Sequence, residues 1–171
     1  MLHPRPEDHA VTFAATRYHD FSYGHRVVGH ENKCALMHGH NGRVYFRIEP
    51  AKLHKPLDDV GRVLDFSVIK TRLCDWLEEN WDHKFLVWDR DPFVLAIRNA
   101  TAEASGDALP GFMAMLNASF VWVPFNPTAE NMAKYLVDVV GPLVLSDSLC
   151  VLTACEVQET RKCSATYFRE G

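Results

Sequence analysis

The sequence predicts an α+β fold, and three observations predict it. Stretches rich in Val, Thr, Phe and Tyr open and close the chain, where residues of one face alternate with residues of the other. Two stretches between them place apolar residues at three-to-four spacing behind a capping residue. Strands therefore flank helices in an antiparallel pattern, with no repeat of solenoid length.

Taken in order, Met1 to His9 is polar and carries two prolines, which predicts a loose arm. Val11 to Val28 predicts a first strand, with Phe21, Tyr23 and His25 on one face and Ser22, Gly24 and Arg26 on the other. Gly29 to Met37 reads as a loop, and His38 to Glu49 as a second strand that Pro50 ends. Lys55 to Gly61 is a turn-rich connector. Asp65 or Ser67 then caps a helix whose stripe is Phe66, Ile69, Leu73, Trp76 and Leu77. That stripe reads as core packing. Asp91 to Ala100 predicts a short helix, and Thr101 to Gly111 a flexible loop or insertion. Ala118 to Phe125 predicts a strand. Thr128 caps a helix with Asn131 as its third residue, Met132, Tyr135, Leu136 and Val139 as its buried side, and Gly141-Pro142 as its stop. Leu149 to Gln158 is a strand, Glu159 to Lys162 a turn, and Ser164 to Phe168 the closing strand.

Composition narrows the function. The chain has 171 residues, 47% of them hydrophobic, which suits a single domain with a substantial core. Its formal net charge of −4 and the lack of any basic run longer than two residues argue against nucleic-acid binding. The N-terminus has no apolar signal core, and the apolar region from Val137 to Ala154 is broken by Asp138, Gly141, Pro142, Ser146, Asp147 and Ser148, so it cannot span a bilayer. Five cysteines form no C-x-x-C pair and read as reduced thiols in a cytoplasmic protein.

The chemistry concentrates in Cys34-Ala35-Leu36-Met37-His38-Gly39-His40. Two imidazoles two residues apart point to one face of an extended chain, a chelate suited to a borderline ion such as zinc. Gly39 between them lets the backbone bend. Cys34 either joins the metal or stands beside it as a reactive thiol, and His25, on what reads as the neighbouring strand, is the candidate donor for a three-His site; Cys34, His38 and His40 would also suffice without it. Asp82 and His83 follow the first helix and are either a surface pair or a carboxylate and imidazole placed for proton transfer. Glu159 by itself reads as a charged turn residue.

Five motifs in order carry a resemblance: F-x-x-x-H-R at Phe21 to Arg26, C-x-x-x-H-G-H at Cys34 to His40, D-H-K-x-L at Asp82 to Leu86, P-T-x-E-N at Pro127 to Asn131, and Glu159-Thr160. Over most of its length the chain resembles the 6-pyruvoyl-tetrahydropterin synthase family and, within it, the 6-carboxy-tetrahydropterin synthases of queuosine biosynthesis, which share the three-residue gap between Cys34 and His38. The resemblance implies a tunnelling fold, two strand pairs with helices on one face, closing into a barrel as a homo-oligomer, a hexamer or another barrel-forming assembly. It implies zinc on His25, His38 and His40, a catalytic set of Cys34, Asp82 and His83 with the last two possibly from a neighbouring subunit, and Glu159 anchoring the pterin. It implies a zinc-dependent carbon–carbon lyase acting on 7,8-dihydroneopterin triphosphate. A pyruvoyl-tetrahydropterin synthase or related side-chain aldolase, and a non-catalytic pterin- or metal-binding module, are the rivals. The stretch from Trp88 to Ser119 is longer than a compact member of that branch needs and predicts an insertion around 88–119 in one domain spanning 1–171. Lys33, Lys84, Arg161 and Lys162 are the cations at hand for a triphosphate, and His30 is either a partner of the ligands or a bystander.

Overall fold

A computed structural model describes residues 13–51, 56–103 and 109–169. The expected N-terminal arm and the start of the connector at Lys55 lie outside the described residues. β1 (Ala15–His25) and β2 (His38–Pro50) pair antiparallel along the whole of β1, from Ala15 opposite Ile48 to His25 opposite His38. β2 continues onto β5 (Cys150–Thr160), with one register shift between Arg47 and Ile48, and β5 onto β6 (Cys163–Phe168). On the other flank β3 (Lys84–Trp88) runs parallel to β1, and β4 (Phe120–Val123) parallel to β3. The result is one six-stranded sheet in the order β4-β3-β1-β2-β5-β6. The α+β class and the two antiparallel strand pairs are as expected from the sequence.

The helices before β3 and after β4 pack on the face that carries Phe21 and Tyr23, whereas those between β3 and β4 pack against Phe120 and Trp122 on the opposite face, the one Phe85 shares with Gly24. α1 (Phe66–Ile69) starts at Asp65, whose carboxylate accepts the Ser67 N–H at 2.8 Å. A wide π turn over Lys70–Cys74 carries it into α2 (Asp75–Asn80). α5 (Ala129–Tyr135) starts at Thr128, whose hydroxyl accepts the Asn131 N–H at 3.3 Å, the cap read from the sequence. α3 (Pro92–Glu103) and α4 (Leu109–Ser119) lie between β3 and β4. The inward residues of β1 and β2, Phe21, Tyr23, Val44, Phe46 and Ile48, are buried with Ile69, Leu73, Leu77, Met132 and Leu136 in one core. No helix of the described residues is long and apolar enough to cross a membrane.

Five local expectations change. The helix does not stop at Gly141-Pro142: a π turn over Leu136–Val140 leads into α6 (Gly141–Val144). The Gly141 N–H reaches back to the Leu136 carbonyl, and Pro142 falls in the first turn of the next segment, where its missing N–H does little harm. A Cβ on Gly141 would lie 2.9 Å from Leu152 Cβ, so the glycine serves close helix–sheet packing. β3 was not expected; it is short and lies between two parallel neighbours, where the period-two signal is lost. Ala118 and Ser119 end α4 rather than begin a strand, and the expected loop at Thr101 to Gly111 is helical at both ends, with 104–108 outside the described residues. The turn expected at Glu159 to Lys162 is shorter, because β5 runs through Glu159 to Thr160.

Candidate metal centre and its surroundings

The site forms where β1 ends and β2 begins. Period-two alternation carries the inward face of β1 from Phe21 through Tyr23 to His25, and the ladder sets His25 opposite His38. His40, two residues on, shares the face of His38. The three rings have centroid separations of 4.6 Å (His25–His38), 5.1 Å (His25–His40) and 4.9 Å (His38–His40). One nitrogen from each lies within 4.8 Å of the others.

The geometry of these rings fits a metal ion. His25 Nδ1 lies 2.6 Å from the Pro127 carbonyl oxygen, and His38 Nδ1 lies 2.7 Å from that of Leu36. A carbonyl only accepts, so in both rings Nδ1 carries the hydrogen and Nε2 presents a lone pair. His25 Nε2 and His40 Nε2 face each other at 3.1 Å. Two ligands at about 2.0–2.1 Å from a tetrahedral zinc would stand about 3.3 Å apart. Electrostatics agrees: burial pushes the pKa of His25 down to about 4, the Pro127 carbonyl opposes this, and the charges of His38 and His40 add to the depression. Burial likewise lowers that of His40, with the Glu159 charge opposing. Neutral imidazoles are the ligating form.

A cavity of about 260 Å³ opens beside His25 and is lined in part by His30, Cys34, Thr128, Glu159 and Cys163. Cys34 sits half-buried on a 3₁₀ turn (Lys33–Ala35), where its carbonyl accepts the Val27 N–H at 2.8 Å. This ties the thiol to the segment leaving β1. Cys34 is outside the three-nitrogen cluster. Glu159 Oε1 lies 3.7 Å from His25 Nε2 and accepts the Tyr23 hydroxyl at 3.4 Å. Burial, then the Glu159 charge, raises the pKa of Tyr23, which keeps its proton on that bond.

Asp82 and His83 occupy the turn after α2. The His83 N–H donates to the Ser22 carbonyl at 2.7 Å, and Asp82 Oδ1 accepts the Ser22 N–H at 2.7 Å, so the turn is stitched to β1 by both backbone groups of one residue. Asp82 Oδ2 lies 2.5 Å from His83 Nδ1. Burial works to raise the pKa of Asp82, but the bonds from Ser22 and His83 outweigh it and the carboxyl is held below its usual range. His83 has φ 56°, the left-handed region, and its ring is 80% exposed. It lines a second cavity of about 620 Å³ that also reaches His38, His40 and Lys84. Within one chain, then, Cys34 and Glu159 share a cavity with His25, whereas His83 shares one with His38 and His40; neither cavity holds both Cys34 and His83.

Of the four cations read from the sequence, Lys84 lines the larger cavity, with Nζ donating to the Glu79 carbonyl at 2.8 Å. His30 lines the Cys34 cavity, and its Nδ1 accepts the Asn32 N–H at 2.9 Å. Sequence reasoning missed the carbonyls of Leu36 and Pro127, since main-chain acceptors leave no residue signature. It also missed Tyr23 as a partner of Glu159, although alternation with His25 placed both on one face.

Comparison with known proteins bears on this arrangement. A family model described as 6-pyruvoyl tetrahydropterin synthase matches residues 14–170. A Rickettsia typhi protein described as 6-carboxy-5,6,7,8-tetrahydropterin synthase is 30% identical over 149 residues, 86% of this chain and 94% of its own. A Haemophilus influenzae protein of the same description is 27% identical over 124 residues, 72% of this chain and 79% of its own. Among solved structures, an uncharacterized protein of Wolinella succinogenes has a TM-score of 0.76 at 25% identity, covering 94% of this chain and 100% of that one. The 6-pyruvoyl tetrahydropterin synthase of Caenorhabditis elegans has a TM-score of 0.59 at 21% identity over 94% and 97%, a likeness of fold.

Proposed function

Because the chain belongs to the 6-pyruvoyl tetrahydropterin synthase family, we propose that it is a carbon–carbon lyase that converts 7,8-dihydroneopterin triphosphate and one water to 6-carboxy-5,6,7,8-tetrahydropterin, acetaldehyde and triphosphate. The observation that carries the reading is the convergence of three imidazoles, two with Nδ1 tied to backbone carbonyls, beside a half-buried thiol and a carboxylate.

His25, His38 and His40 would hold the ion, and zinc is the choice their neutral nitrogen set favours. Bound there, zinc supplies a Lewis acid that polarises the oxygens of the substrate side chain. Cys34, close to the cluster but outside it, takes the role of a base for the side-chain carbons. Asp82 accepts from His83 Nδ1 and so orients its ring, leaving Nε2 for proton transfer. Glu159 offers two acceptor oxygens to the amino-pyrimidine edge of a pterin. The division of Cys34 and His83 between two cavities supports an assembly in which His83 of one subunit faces Cys34 of the next. The outer edges of β4 and β6 are the places where a further copy of the sheet would add. We read α3 and α4 as the insertion of this otherwise compact domain.

Product analysis tests the activity. Zinc-loaded protein given 7,8-dihydroneopterin triphosphate should release acetaldehyde and the 6-carboxy product. Absence of both, with zinc bound, overturns the lyase reading, and a 6-pyruvoyl product would favour the sister activity. Glu159→Gln should raise KM and leave zinc content intact; zinc loss would make Glu159 a ligand instead.

A further inference from the structure

We infer that Asn126 is a positioning residue of the metal centre, clamping the exit of β1 to the loop whose Pro127 carbonyl holds the tautomer of His25. The inference rests on the metal reading of the three histidines and is independent of the reaction catalysed. Asn126 Oδ1 accepts the Val28 N–H at 2.9 Å, and Asn126 Nδ2 donates to the Val28 carbonyl at 2.8 Å. One side-chain amide thus meets both backbone groups of one residue, as a paired strand would. The Asn126 carbonyl in turn accepts the Thr128 N–H at 2.7 Å and Asn131 Nδ2 at 3.0 Å.

These bonds bracket the His25 contact on both sides. Val28 stands three residues after His25, and Asn126 immediately precedes Pro127, whose oxygen lies 2.6 Å from His25 Nδ1. The segment leaving β1 and the β4–α5 loop are 98 residues apart in sequence at the Val28–Asn126 pair, and among the described residues that pair is the hydrogen-bonded link nearest in sequence to the His25–Pro127 bond. With the clamp open, the carbonyl has no fixed distance to the ring. His25 Nδ1 then keeps its hydrogen for only part of the time, and Nε2 is no longer always the lone-pair nitrogen. An amide is required because both partners are needed at once: a carboxylate would set an oxygen against the Val28 carbonyl, and an apolar side chain would leave both groups unpaired.

The experiment compares the full-length protein with Asn126→Ala, Asn126→Asp and Asn131→Ala. Zinc affinity is measured by competition with a chromophoric chelator at fixed pH. The His25 tautomer is read in the metal-free protein from long-range proton–nitrogen NMR couplings of labelled imidazoles. Asn126→Ala should weaken zinc by about tenfold or more, the usual effect of losing a group that orients a ligand, and should shift the His25 signals toward a tautomer mixture. Asn126→Asp should fall in the same direction, and Asn131→Ala should give a smaller loss. A purely structural role would lower the melting temperature and leave both readouts at wild-type values. A folded variant of Asn126 with zinc affinity within twofold of wild type and an unchanged His25 tautomer overturns the inference. If Asn126→Ala does not fold, Asn126→Asp and Asn131→Ala decide by the same criteria. Should the wild type itself bind no zinc, the metal reading fails, and the tautomer measurement still decides whether the clamp exists.

Discussion

The two ends of the β1–β2 ladder are built by one rule and meet different surroundings. At the end where Ala15 opposes Ile48, the inward face joins Ile69, Leu73, Leu77 and Leu136 in a core of apolar side chains. At the end where His25 opposes His38, the same face of the same strand carries Tyr23 and His25, buried as deeply as the core residues. Helices with apolar stripes cover the first end. A loop that brings a carbonyl oxygen, and a cavity holding a carboxylate, cover the second. The contrast teaches that alternation selects which residues turn inward, while the covering element decides whether an inward residue meets apolar side chains or polar partners. Polar groups are tolerated at the second end because each meets a partner: His25 Nδ1 at Pro127, and the Tyr23 hydroxyl at Glu159.

The largest expected effect breaks the second end alone. His25→Ala removes a ligand and strands the Pro127 carbonyl; zinc per chain should fall close to zero and turnover with it, as metal analysis and product formation would record. Stoichiometric zinc in that variant would show that the cluster does not depend on the strand end. Cys34→Ala comes next: kcat should fall by about 10²- to 10⁴-fold, the usual worth of a positioned base, with zinc retained. Loss of zinc with the thiol would move Cys34 into the ligand set. At the first end, Leu77→Ala should cost about 2–5 kcal/mol in denaturant unfolding and leave zinc affinity unchanged, because Leu77 is fully buried in the apolar core. A matching fall in zinc affinity would mean that the two ends are one cooperative unit.

The smallest effect concerns pH. Asp82 is held below its usual pKa by Ser22 and His83. A depressed carboxyl adds stability above its unfolded value of about 3.9, and that increment disappears as pH falls through the folded value. Wild type should therefore exceed Asp82→Asn by under about 1 kcal/mol near pH 6, and the gap should close on acidification below pH 4. A gap that widens in acid would reverse the assignment.

Much of this was legible in the chain. That His25 shares a face with Phe21 and Tyr23, and His40 with His38, follows from alternation and from the H-x-H spacing, both local properties of extended backbone; that the three imidazoles form one set came from the family resemblance, since the residues alone left Cys34, His38 and His40 as an alternative. The cap at Thr128 was legible for a similarly local reason, whereas the first helix left Asp65 and Ser67 both open until the structure placed the cap at Asp65. β3 was not, because a short strand between parallel neighbours loses its period. The continuation past Pro142 was not, because a π turn absorbs the residue that would otherwise end a helix.

By itself the sequence determined the α+β class, the inward face of each long strand and the three imidazoles with their neighbouring thiol. Only the tertiary structure decided that Pro127, 102 residues from His25, supplies the oxygen that orients its ring, and that Glu159 comes to rest beside Tyr23. The physical reason is that side-chain direction along a strand is set within a few residues, whereas a backbone acceptor becomes a partner only when packing carries a distant loop to within hydrogen-bonding reach.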